Sequence, residues 1–158
     1  MKQLGLGIIV AIALTLPAFG QSSLKEQLVG TWAHVSCTIQ AFPWCSNPNN
    51  GIHILGASGH YATVNALRGR PKFTATNPGQ PRDAYSAEEY KAAAMGLQAQ
   101  FGTWLVNEVD KTITYHVDGA LFPNVEGAEF NFTVNLSGDE MTLVNASGPV
   151  VVWRRVKN

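Results

Sequence analysis

The sequence predicts an all-β fold, an antiparallel up-and-down barrel of about eight strands with one helix across or beside it. Three observations carry this expectation. Short strand-forming stretches recur at hairpin spacing, separated by turn pairs such as Ser58-Gly59 and Ser137-Gly138. The first stretch carries Trp32 and the last carries Trp153 and Arg154, so pairing of first and last would close the sheet and remove both edges. Between them, one segment alone, Ser86 to about Gln100, has both a helix start signal and helical periodicity.

Residues 1–20 are expected to lie outside this fold. Met1-Lys2 is a short positive start, Leu4 to Leu16 an apolar run, and Ala18-Phe19-Gly20 a small-x-small cleavage pattern. The apolar run is shorter than the roughly 20 residues that span a bilayer. A signal peptide removed on export is therefore expected, with residues 21–158 as one domain, secreted or periplasmic and without a membrane span.

The chain has 11 Lys plus Arg against 11 Asp plus Glu, and 46% of its residues are hydrophobic. That balance excludes the basic footprint of a nucleic-acid binder, and the hydrophobic content excludes a disordered chain. The two cysteines, Cys37 and Cys45, have neither redox nor zinc spacing. In an exported chain they read as a structural disulfide across a short loop, worth about 2–3 kcal/mol.

Along the chain, Ser22 to Leu28 reads as a short helical lead-in whose Leu24, Leu28 and Val29 plug one end of the fold. The first strand follows from Gly30. Its alternation places Trp32, His34 and Ser36 on one face, and Thr31, Ala33, Val35 and Cys37 on the other. Trp32 is too large for a surface position, and its indole N–H needs a partner when buried. An arginine near the chain's end, Arg154, is placed to stack on it. Strands at Gly51–Leu55 and His60–Leu67 flank the Ser58-Gly59 turn. A Pro/Gly/Asn-rich stretch to Asp83 follows, long enough to form a lid or rim.

In the helix, Ser86 and Glu89 have capping-box spacing. Tyr90, Ala93, Ala94, Leu97 and Phe101 form the expected buried stripe, and Gly102 the stop. Strands then run from Gly102 to Glu108, Thr112 to Val117, Ala128 to Leu136, Met141 to Val144 and Val150 to Val156. Gly-Thr-Trp opens two of the strands, at Trp32 and at Trp104.

In this order the residues resemble the lipocalin-like domain family of bacterial and fungal proteins, within the wider lipocalin superfamily. The resemblance is carried by Leu28-Val29-Gly30-Thr31-Trp32, Arg70-Pro71-Lys72-Phe73, Phe101-Gly102-Thr103-Trp104, His116 to Asn124, and Val152-Trp153-Arg154-Arg155-Val156. It implies a small barrel with a helix across it and no single activity. Val125 stands where the family usually has an aromatic residue.

An eight-stranded barrel is just wide enough for one small ligand, so a small apolar or amphipathic molecule is the expected partner. His116, in the family-like stretch, either lines a cavity or faces water with Thr112 and Thr114. Asn124 is either a turn residue or an amide reading a polar ligand group. Arg68 and Arg70, with Lys72, either receive an acidic group at the barrel mouth or form a solvated rim. Tyr61 and Tyr115 offer phenolic handles. No cofactor or metal motif occurs. Two other readings remain open: a metal-free isomerase or cyclase using His116 with Tyr115 or Asn124, and a filled barrel that binds proteins through an apolar loop, Ala41-Phe42-Pro43-Trp44.

Overall fold

The first helix of the computed structural model, α1 (Leu24–Leu28), starts at a reciprocal cap. The Ser23 hydroxyl accepts from the Glu26 N–H at 3.2 Å and the Glu26 carboxylate accepts from the Ser23 N–H at 2.9 Å. The structure describes residues 22–39, 45, 49–74, 84–148 and 150–157. The expected signal peptide, the Ala41–Trp44 loop and most of the Pro/Gly-rich stretch lie outside them.

Eight strands follow: β1 (Gly30–Cys37), β2 (Asn49–Leu55), β3 (His60–Leu67), β4 (Leu97–Asn107), β5 (Thr112–Ala120), β6 (Glu129–Ser137), β7 (Glu140–Asn145) and β8 (Val150–Arg155). A second helix, α2 (Ala87–Met95), precedes β4, and a 3-10 turn, Pro123–Val125, follows β5. Each strand pairs antiparallel with the next, and β8 pairs with β1 to close the barrel. Period-two alternation then turns one face of every strand inward. Leu55, Tyr61, Trp104, Ile113, Met141 and Trp153 are buried there.

One end of the barrel is shut by α1. Leu28 is fully buried under it, and the Trp32 indole N–H donates to the Leu28 carbonyl at 2.9 Å. The Arg155 guanidinium lies 4.1 Å from the Trp32 ring and donates to the Val29 carbonyl at 3.0 Å and to the Gln27 carbonyl. It thereby satisfies carbonyls that a helix end leaves without partners. Gly30 is required beside it. Its φ is +144°, and a Cβ there would stand 2.8 Å from an Arg155 nitrogen. At the other end of α1, the Glu108 carboxylate accepts from the Leu24 and Lys25 N–H groups at 2.8 and 2.9 Å. These bonds hold its carboxyl below the usual range.

The stacking arginine is therefore Arg155 and not Arg154, as the sequence suggested. Trp153 faces inward, so the residue two positions on faces the same way. Arg154 faces solvent, 3.6 Å from Glu140.

Two further expectations need correction. The second helix stops at Gly96, not Gly102, because Leu97 to Gln100 pair with Ala66 to Thr63 of β3. A ladder along a neighbouring strand outweighs the helical spacing of apolar residues. Tyr90 and Phe101 are exposed, and no residue of α2 is buried. Gly102 lies within β4 at a shift of register, where a Cβ would meet the His116 carbonyl at 1.9 Å. In β1, a bulge between His34 and Ser36 reverses the alternation. Cys37 consequently packs against the core and forms the expected disulfide with Cys45.

Replacing Arg155 by Ala is expected to lower stability by about 1.5–3 kcal/mol, the worth of charge-assisted hydrogen bonds plus a cation–π contact. Arg154→Ala, one residue away, should stay within about 0.5 kcal/mol of the native protein in the same urea titration.

Candidate functional site

The half of the barrel nearest α1 is filled, with Leu28, Trp32, Leu55, Trp104, Ile113 and Met141 all buried almost completely. Towards the other end the side chains draw apart around a cavity of about 600 Å³. Its apolar wall includes Phe130, Phe132, Leu143 and Val151. Met95 at the end of α2 and Leu121 and Phe122 after β5 line it and are exposed, which sets its mouth at that end.

A polar cluster is set into the inner wall. Alternation along β3 brings Tyr61, Thr63 and Asn65 inward together, and β2 contributes His53 beside Thr63. The two nitrogens of His53 contact the Thr63 hydroxyl and, at 2.9 Å, the Tyr115 hydroxyl. Full burial disfavours the imidazolium and lowers its pKa to about 3. Burial acts oppositely on the phenols. Tyr61 is raised to about 12, and Tyr115 is raised well above its ordinary value. The cluster is thus uncharged at neutral pH. Its rings also pack on one another, Tyr61 to Tyr115 at 4.7 Å and His53 to Trp153 at 5.1 Å between centroids.

An amide ladder continues from it. The Asn65 amide N–H donates to Gln98 at 2.6 Å, Gln98 to Gln100 at 3.3 Å, and Gln100 to the Tyr61 hydroxyl at 3.4 Å. The buried acceptor Oδ1 of Asn65 and the buried donor Nε1 of Trp153 have no hydrogen-bond partner among the described residues.

The mouth is braced from outside. Glu89 in α2 accepts from the Ser86 N–H at 2.8 Å, from the Thr74 N–H at 2.6 Å and from the Thr74 hydroxyl at 2.8 Å. Phe73 packs 4.6 Å from Tyr85 and 5.7 Å from Tyr90. The segment before α2 is thereby tied to it.

Of the residues singled out in the sequence, Tyr61 and Tyr115 line the cavity. His116 stands on the outer face of β5, 3.7 Å from Asp118 and 4.0 Å from Glu129. It therefore does not converge with Tyr115, which faces inward. Asn124 is exposed in the 3-10 turn, while its neighbours Phe122 and Val125 reach the cavity. Arg68 donates to Asn50 at 3.0 Å, and Arg70 lies against Gly96 with a nitrogen 3.4 Å from the Ala93 carbonyl. Trp104 belongs to the filled end, its N–H donating to the Gly56 carbonyl at 3.1 Å.

His53, Thr63, Asn65 and Gln98 were not picked out from the sequence as site residues, and Trp153 was read only as part of the closing strand. A signal was present in β3, where polar residues share the inward face with Tyr61 in strict alternation. Gln98 gave none, since its segment read as helix. Among the described residues no group of three His, Cys, Asp or Glu side chains could hold a metal ion, and no helix is long and apolar enough to cross a membrane.

A family model described as a lipocalin-like domain matches residues 27–155, more than half of the chain. No curated protein matches it. Among solved structures, the chain is similar to an uncharacterized protein from Bacteroides eggerthii at 14% identity, TM-score 0.43, covering 81% of this chain and 98% of the other. It is also similar to the N57A mutant of the fluorescent protein UnaG at 14% identity, TM-score 0.35, covering 84% and 99%.

Two pH effects are expected. The fold keeps His53 neutral, so between its ordinary value of 6.5 and about 3 the unfolded chain takes up a proton that the folded chain refuses. Stability should fall with pH across that window, by roughly 2 kcal/mol between pH 7 and pH 5. His53→Gln should remove that portion in paired denaturation curves. Glu89 has the opposite shift, down to about 2 from 4.5. Its tie to Thr74 should be complete above the ordinary carboxylate range and lost as pH falls through about 2. Exchange protection of the Thr74 amide reads this directly, and Glu89→Gln should lower that protection at neutral pH.

Proposed function

The chain belongs to the lipocalin-like domain family, and we propose that it is an exported binding protein that holds one small apolar or amphipathic molecule in its barrel. The observation that carries this is the half-hollow interior. A cavity of about 600 Å³, walled by aliphatic and aromatic side chains with a few convergent polar groups, has the size and make-up of a small-molecule site. The filled half gives that site a rigid base, and the mouth between α2 and the segment after β5 gives it access to solvent.

Export is supported by two features: the signal-peptide pattern of residues 1–20 and the Cys37–Cys45 disulfide, which belongs to an oxidising compartment. The hollow half weighs against a filled barrel that acts only through its surface. The separation of His116 from Tyr115 weighs against a catalytic pair built from those two residues.

An uncharged environment-sensitive dye such as Nile red is expected to bind saturably with one site per chain. Leu143→Trp in the wall and Ala94→Trp at the mouth should each weaken the dye by at least about tenfold, because each places indole volume where ligand would lie. Circular dichroism checks that both variants remain folded. Dye that does not saturate on the native protein, or that binds both variants undiminished, overturns the reading.

A further inference from the structure

The outside of the barrel is divided into two halves of different chemistry. Strands β1 to β4 contain no Asp, Glu, Lys or Arg, whereas each of β5 to β8 carries at least one, at Asp118, Glu129, Glu140 and Arg154. An antiparallel sheet with one face in water normally alternates apolar residues inward with polar ones outward. Here the outward positions of four neighbouring strands are uncharged and mostly apolar.

The register sets these positions side by side. Ala33 of β1 pairs with Ile52 of β2, Ile52 with Val64 of β3, and Val64 with Ala99 of β4. Two residues along, Thr31 pairs with Ile54, Ile54 with Ala62, and Ala62 with Phe101. Ile52, Ile54 and Val64 are exposed, Phe101 is 57% exposed, and Leu105 extends the face along β4 at 68%. The alternate residues of β2 and β3, His53, Tyr61 and Thr63, are buried in the polar cluster of the cavity. Turning Ile52, Ile54 and Val64 inward would turn that cluster out. Charge returns at both borders. On its other side Ala33 pairs with Arg154, which stands 3.6 Å from Glu140. Thr103 pairs with His116, beside Asp118 and Glu129.

We propose that this face is covered by the same face of a second copy of the chain, the two sheets packing flat about a two-fold axis. Closure of the barrel leaves no strand edge to extend, so a partner must lie on the face itself. Four strands about 4.8 Å apart and about five residues along each give it a plan of roughly 300–400 Å². A stable interface takes about 800 Å² from each partner, apolar at its centre and polar at its rim. The face supplies such a centre, with Asn50 and Thr103 beside it for the rim. Its composition fits a like copy better than a transient partner, because homodimer interfaces are more apolar than the remaining surface and transient ones are not. An isologous contact also needs no complementary charge on another molecule. An anionic lipid surface would call for lysines or arginines around the face. Strands β1 to β4 have none, and Arg154 at the border is held by Glu140.

Sedimentation velocity of the purified protein at micromolar concentration is expected to give the mass of two chains. Val64→Lys places an unpaired ammonium in the apolar centre from both copies, so it should weaken association at least about a hundredfold and give the mass of one chain. Asn135→Lys, exposed on the outer face of β6, should leave the dimer intact. Circular dichroism reports whether Val64→Lys stays folded; should it not, Ile54→Lys in the other row takes its place. A native protein that sediments as one chain overturns the proposal, and flotation with phosphatidylcholine vesicles then shows whether a lipid surface takes the face instead. A dimer that survives both Val64→Lys and Ile54→Lys also overturns it, since association then uses another surface.

Discussion

Closure of the sheet around Trp32 is the constraint on which the rest of the molecule depends. An open antiparallel sheet of this length would expose two strand edges and could not enclose a cavity. Here β8 returns to β1, and the register that pairs Trp32 with Arg155 puts a guanidinium over the indole. The same two side chains take up the carbonyls of Gln27, Leu28 and Val29, so α1 is bound to the seam it covers. Glu108 binds its other end. Seam, plug and end wall are thus one unit, and it is the filled end of the barrel.

That filled end makes the hollow end possible. Protein interiors are close-packed, and a void forfeits contact energy along its lining. The barrel offsets this by packing Trp32 and Trp104 almost completely buried in the filled half. The other half carries hydroxyls, amides and one imidazole that pair mostly with one another. Burial keeps them neutral. A neutral polar wall can orient a ligand through donors and acceptors without a strong field, and that is the chemistry the cavity offers.

Much of the fold was legible from particular residues. The Ser86–Glu89 cap is a local pattern read from the sequence, and it forms; the same pattern at Ser23–Glu26 also forms and was not read. The turn pairs and the alternation in β3 and β5 gave the strands their places. The misplaced boundary at α2 has a clear cause: Leu97 and Phe101 continue a helical spacing, and only the partner strand β3 decides that they extend instead. The shift from Arg154 to Arg155 and the inward turn of Cys37 arise likewise from register and from a bulge, which are properties of paired strands. Of the site, Tyr61 and Tyr115 could be picked out as phenols on strands. His116 shares a polar face of β5 with Thr112 and Thr114, and alternation alone does not say whether a polar face lines a cavity or meets water; the structure turns it outward.

What the sequence determined by itself is therefore local and periodic: a cap, turns, strand count and the pairing of the two cysteines, beside a family resemblance carried by short motifs in order along the chain. These depend on residues near one another in the chain. What only the tertiary structure decided is which face of each strand is interior, where the barrel is full and where it is hollow, and which polar groups are brought together in the cavity wall. Those depend on the register between strands distant in sequence, where a shift of one residue exchanges inside for outside.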